Sequence, residues 1–333
     1  MRAFVQTAIG HFEERDLPPP RAGPGEVVLR VRAALTCGTD LKLLDRGHAR
    51  ISLPVTMGHE ACGEVADVGA GVEGFRTGER VVPGISGPCG GCDECRRALE
   101  NLCAAGHADR TWGAFAELLR VPAAVVARNL HAVPDGLPDE IAAFVDPLAS
   151  VLHGWKRLGG SRGTVLVYGA GALGLLWAAT ARARGVRAIV AARGGENRLS
   201  IARRYGAEVL DLAGDSPASI PEAAEIAVDC TGRAEVWKLL PELVVPGGRV
   251  LLFGGCAPGE MVAWDAARLH YSEISLIGSF HYSPADAREA LRMLASGDVD
   301  PAPLLADRGG LSDLPRFLEA QRRGEGIRYA VFP

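Results

Sequence analysis

TVLVYGAGALGLLWAATARARG, residues 164–185, decides the second half of this chain. Its opening TVLVY is a short apolar run suited to a strand buried on both faces. Gly169, Gly171 and Gly174 follow at once in G-A-G-A-L-G, and an apolar helix pattern closed by Gly185 comes next. In a strand–turn–helix context this spacing fits a dinucleotide. Gly169 makes the tight turn, Gly171 lets a pyrophosphate approach the backbone, and Gly174 allows close helix–strand packing. Ala172 and Leu173 open the helix, whose free N–H groups favour phosphate charge. Downstream, AIVAAR, EVLDL, EIAVDC, RVLLFGG and ISLIGSF read as buried strands, with helical segments such as NRLSIARRYG and AEVWKLLPELV between several of them. That alternation predicts an α/β, doubly wound parallel sheet of the Rossmann kind over residues 151–281.

The adenosine ribose is the next question. A site for NAD presents Asp or Glu about 20 residues after the glycines, at the end of the second strand. Here that strand ends in Arg193, with Arg198 nearby. A guanidinium suits a 2′-phosphate, so the reading favours NADP over NAD. Lysine occurs only at Lys42, Lys156 and Lys238, so the missing carboxylate is the stronger half of that argument.

Residues 1–150 read as β-rich. EVVLRVRAALTC alternates as a half-buried strand, and EACGEVADVGAGVEGFRTGERVVP has the cadence of a small barrel. Within this half, Cys89, Cys92, Cys95 and Cys103 stand in GPCGGCDECRRALENLC, a thiolate set suited to tetrahedral Zn²⁺ with no open position, hence structural. Gly87, Gly90 and Gly91 are expected to let the backbone turn tightly enough to gather the sulfurs. Two disulfides or an iron–sulfur cluster are the alternatives. A second set is suggested by CGTD and GHE: Cys37 and His59 are good zinc ligands, and Asp40 is placed to hold the other nitrogen of His59. A formal charge of -4 with no basic run argues against a nucleic-acid surface, and no apolar stretch approaches a membrane span. The absence of a signal-like start and the use of cysteine fit a cytoplasmic protein.

Together these motifs resemble the zinc-dependent alcohol dehydrogenase branch of the medium-chain dehydrogenases/reductases, near its polyol and threonine dehydrogenases. CGTD, GHE, the Gly78–Val81 GxRV motif, the cysteine loop and GAGALG occur in the family's order over essentially the whole chain. The resemblance implies a GroES-like β-barrel catalytic domain, 1–150 completed by 282–333, with a Rossmann domain inserted and the active site in the cleft between them. It implies two Zn²⁺ per chain, and Cys37 and His59 as catalytic zinc ligands with either Asp146 or Glu60 as the third. Asp146 also reads as a helix N-cap before Pro147. Thr39 falls on the hydroxyl that starts proton removal from an alcohol. Lys42 stands where relatives often carry a histidine that ends a proton relay, and His48 is a possible substitute. Ser150 aligns with a nicotinamide-contacting hydroxyl, while Trp112, Phe115 and His281 either line the pocket or pack. The implied reaction is reversible hydride transfer between a secondary alcohol or polyol and NADP(H), in a homodimer or homotetramer. The alternatives are an NADP-binding regulatory module without turnover and a zinc-free reductase acting on activated double bonds.

Overall fold

The computed structural model describes residues 1–47, 51–160, 163–193, 195–214 and 224–333. The chain forms two compact units. The first joins Met1–Ala149, Tyr282–Gly297 and Pro301–Pro333; the second holds Ser150–His281 and Asp298–Asp300.

The first unit is built on strands that pair mainly antiparallel. Its larger sheet runs in the order Leu305–Gly310, Arg328–Phe332, Val27–Leu35, Glu60–Val68, Arg80–Pro83, Leu130–Ala132, with Leu118–Val121 also pairing Val27–Leu35. A smaller sheet sets His11–Asp16, Arg2–Ala8 and Val55–Thr56 side by side. One apolar core takes Phe4 from the small sheet, Leu29, Val31 and Val65 from the large one, and Phe317 from helix Leu314–Arg322. The expected alternation in Val27–Leu35 holds only in its middle, where Arg30 and Arg32 face out. Its ends are buried on both faces.

The second unit carries a six-stranded parallel sheet in the order Glu208–Asp211, Ala188–Ala192, Val165–Tyr168, Ala224–Asp229, Val244–Leu252, Ser275–Gly278. The chain therefore reverses direction of travel at Val165–Tyr168, the switch point where such sheets bind ligands. All five pairings are parallel. The segment AEVWKLLPELV, expected as one helix, is helical only over Ala234–Leu239 and tightens to a 3-10 turn over Leu240–Leu243. Pro241 explains the change: it lacks an N–H, and its ring clashes with the preceding turn of an α-helix. Among the described residues no helix is long and apolar enough to cross a membrane.

Candidate active site and nucleotide pocket

The first unit gathers two metal-ligating clusters. In the cysteine lobe the donor atoms of Cys89, Cys92, Cys95 and Cys103 lie within 4.8 Å of one another. The Cys89–Cys95 and Cys92–Cys103 sulfurs are 4.0 and 3.7 Å apart. A zinc–sulfur tetrahedron with bonds of about 2.3 Å has edges of about 3.8 Å, so the set fits that ion. All four cysteines are unpaired, with sulfurs spaced for a shared ion. Backbone N–H groups donate to two of the sulfurs: Cys89 and Gly106 to Cys103, and Gly91 to Cys89. Gly90 sits at φ +74°, while Gly91 shows neither a positive φ nor crowding at Cβ and is not required.

The second cluster forms where helix Gly38–Arg46 and strand Glu60–Val68 begin. Donor atoms of Cys37, His59 and Glu60 lie within 4.8 Å of one another. Asp40 is fully buried. Oδ2 accepts the Cys37 amide at 2.8 Å, and Oδ1 faces His59 Nδ1 at 3.4 Å. That leaves His59 Nε2 turned toward Glu60, 3.8 Å away. The Trp112 indole stacks on the other side of the imidazole, with ring centroids 4.9 Å apart and planes 8° from parallel. Arg328, 2% exposed, donates to Glu60 Oε1 at 3.0 Å and to the Thr36 carbonyl.

The electrostatics call for a cation. Burial opposes the Cys37 thiolate, but the Arg328 guanidinium and His59 outweigh it and hold the thiol well below its ordinary range. Burial pushes the Glu60 carboxyl well up despite Arg328. Its Oε2 is buried without a hydrogen-bond partner. Four acidic groups, Cys37, Asp40, Glu60 and Asp146, thus act on one another around a single guanidinium. A divalent ion on Cys37, His59 and Glu60 would satisfy both the charge and the orphaned oxygen. Asp146 is outside that triplet, although His59 and Cys37 still act on its carboxyl. It is half-buried in the first turn of helix Val145–Arg157, so it is not the N-cap expected from Pro147, and its Oδ2 accepts the Tyr282 hydroxyl at 2.5 Å. Tyr282 in turn accepts the Ile85 amide.

In the second unit, a cavity of about 450 Å³ opens at the switch point, lined by Gly169, Gly171, Arg193 and Arg198 among others. Gly169 is at φ +112°. A Cβ on Gly174 would stand 1.8 Å from the Gly169 carbonyl oxygen, so helix and turn touch there as the motif requires. A Cβ on Gly171 would meet nothing within 4 Å and would project into open space of the kind a pyrophosphate fills. The residues present therefore fit a dinucleotide.

Residues 23–135 match the alcohol dehydrogenase GroES-like domain, and residues 172–296 match the zinc-binding dehydrogenase family. The chain is 33% identical to the D-altritol 5-dehydrogenase of Agrobacterium fabrum, over 95% of both chains. It belongs to the zinc-binding dehydrogenases. The sorbitol dehydrogenase of Halalkalibacterium halodurans is 30% identical, over 100% of this chain and 99% of its own. A structure described as a zinc-binding dehydrogenase from Sinorhizobium meliloti 1021, bound to NADP, has a TM-score of 0.89 at 29% identity and covers 100% of this chain and 99% of its own.

The remaining expected residues of this dehydrogenase fall as follows. Thr39 and Lys42 are exposed on helix Gly38–Arg46, whose start carries Cys37 and Asp40. His48 lies outside the described residues. Phe115 is fully buried in the core, whereas His281 and Ser150 are half-buried and belong to the second unit. Ala172 and Leu173 begin their helix half-buried. Sequence reasoning missed Arg328 and Tyr282. A charged residue leading the apolar run RYAVF was the available signal for Arg328. For Tyr282 there was none beyond its place in HYSP.

Proposed function

We propose that this dehydrogenase interconverts a secondary alcohol or polyol and its ketone with NADP. The observation that supports this most directly is the Cys37–His59–Glu60 cluster, a partly anionic donor set whose Glu60 oxygen lacks a partner. The substrate class is supported by the polyol names of the two relatives. When bound, zinc would supply Lewis acidity toward the alcohol oxygen, and NADP would accept the hydride. Cys37, His59 and Glu60 would hold the ion. Asp40 fixes the tautomer that presents Nε2, and Trp112 keeps the ring from turning. Arg328 anchors one oxygen of Glu60, and Tyr282 holds Asp146 aside as the alternative ligand. Thr39 would accept a hydrogen bond from the substrate hydroxyl as its proton departs to solvent, and Lys42 would offer an N–H to the cofactor ribose. Ser150 would contact the nicotinamide. A second Zn²⁺ in the cysteine lobe has no free position and shapes the fold only. The proposal extends to a cytoplasmic homodimer or homotetramer, in keeping with eight free cysteines.

The test is zinc content and turnover over a panel of polyols and secondary alcohols with NADP. Two zinc ions per chain are expected, with Cys37→Ser losing one ion and nearly all turnover. Near-normal turnover by Cys37→Ser would falsify the catalytic assignment.

A further inference from the structure

The nucleotide cavity holds a guanidinium that the glycine motif and the second strand do not account for. Besides Arg193 and Arg198, its wall includes Tyr168, Arg233 and Glu235. Tyr168 ends the strand Val165–Tyr168, which lies between its two sheet neighbours, Ala188–Ala192 and Ala224–Asp229. Ala191 pairs with Tyr168 on one side and Asp229 pairs with it on the other. Arg193 directly follows the first neighbour, and Arg233 lies four residues beyond the second, at the N-cap of helix Ala234–Leu239, so both stand at the same end of the sheet as Tyr168. Both side chains line the one cavity, where a small anion can be reached from each. The phenol of Tyr168 reports the convergence: it feels both guanidiniums and Glu235, although burial is the larger influence on it.

The base of the Arg233 arm is fixed. The Asp229 carboxylate, fully buried, accepts from Thr231 N, Thr231 Oγ, Gly232 N and Trp237 Nε1 at 2.6 to 2.9 Å. The turn that delivers Arg233 is therefore held at four points. The tip is not. Its contact with Glu235 is 3.6 Å, with both side chains more than 60% exposed (64% and 71%). A pair of that kind contributes little and exchanges readily for a better anion. Among the described residues, Arg193 and Arg198 have no carboxylate partner at all.

We infer that Arg233 is a third arm of the 2′-phosphate site, parked on Glu235 until the phosphate of NADP displaces that carboxylate. This rests on the NADP reading and adds to it a determinant that follows a different strand. A 2′-phosphate offers oxygens to forks from both sides, whereas the 2′-hydroxyl of NAD gives Arg233 no reason to leave Glu235.

The experiment compares binding of NADP, NAD, 2′,5′-ADP and 5′-AMP by the whole enzyme and by Arg233→Leu, Arg233→Lys, Arg193→Leu and Glu235→Gln. Arg233 is exposed, and a melting curve for each variant checks the fold. Arg233→Leu should weaken NADP and 2′,5′-ADP about tenfold and leave NAD and 5′-AMP within about twofold, with Arg233→Lys in between. Glu235→Gln should tighten NADP and 2′,5′-ADP without affecting NAD. Equal losses for all four ligands in Arg233→Leu would overturn the proposal, since the arm would then serve the adenosine or the loop. No loss at all would overturn it as well. If Arg193→Leu alone removes the preference for 2′,5′-ADP over 5′-AMP, the NADP reading stands and only the third arm falls. Wild-type enzyme that does not distinguish 2′,5′-ADP from 5′-AMP would sink both.

Discussion

Asp40 secures two neighbours with one carboxylate, capping the amide of Cys37 while facing the inner nitrogen of His59. Asn in its place can still cap with its oxygen, but it then turns an N–H toward His59 Nδ1. That favours the tautomer with its proton on Nε2, the form that cannot ligate. Asp40→Asn should therefore release zinc to a chelator 10- to 100-fold (about) more readily, measured by a chromogenic zinc indicator. Unchanged release would mean that Asp40 only caps the helix. His131 offers a pH test in the same unit. Its Nε2–H donates to Asn129 Oδ1, while burial and the nearby Arg288 push its pKa down to about 4. The unfolded chain takes up that proton near pH 6.5, and the folded one resists it. Stability should thus fall as pH drops from about 6.5 to about 4, by up to about 3 kcal/mol from this group. Urea melts at pH 7 and 4.5 should show a smaller acid loss for His131→Gln than for wild type. At this scale Cys37 and His59 were candidates only through CGTD and GHE taken together with the cysteine loop and the glycine turn, since a lone core histidine is more often not a ligand. Arg328 was no candidate, because it meets Glu60 only through pairing of strands 268 residues apart.

The turn after Val165–Tyr168 divides its labour between its glycines. Gly174 is needed for packing, with no room for a Cβ beside the Gly169 oxygen, and Gly171 leaves space for a ligand. Gly174→Ala should cost about 3 kcal/mol or more and lower the melting temperature, since the helix must back away from the turn. Gly171→Ala should melt near the wild-type temperature yet bind NADP far more weakly. Loss of stability in Gly171→Ala with cofactor affinity retained would contradict this division. The parallel sheet was readable because buried parallel strands leave continuous apolar runs, whereas its strand order was not. The end of helix Ala234–Leu239 was misread because the apolar pattern runs on through Pro241. Pattern records which side chains are buried, while the ring of Pro241 decides how the backbone can coil.

The two units differ in how the chain makes them. The second is almost one continuous stretch, and the first is assembled from three. Both metal clusters belong to the first. Exhaustive chelation should therefore abolish turnover and lower the melting transition of the first unit, while NADP still raises that of the second, as seen by calorimetry. Loss of NADP binding with the metals would show that the units do not hold their structure separately. Sequence made this division visible through the change from alternating to continuous apolar runs. The return of residues 282–297 and 301–333 to the first unit depends on long-range pairing that no local pattern announces. That return also sets a clock. The 268 residues between Glu60 and Arg328 take on the order of 10–50 s to synthesise. Through that interval Cys37, His59 and Glu60 wait without their guanidinium, while the intervening Rossmann unit can already close. A nascent chain therefore carries a Cys37–His59–Glu60 set whose carboxylate is not yet anchored, open to whichever metal arrives first. The strand Arg328–Phe332 is what ends that exposure.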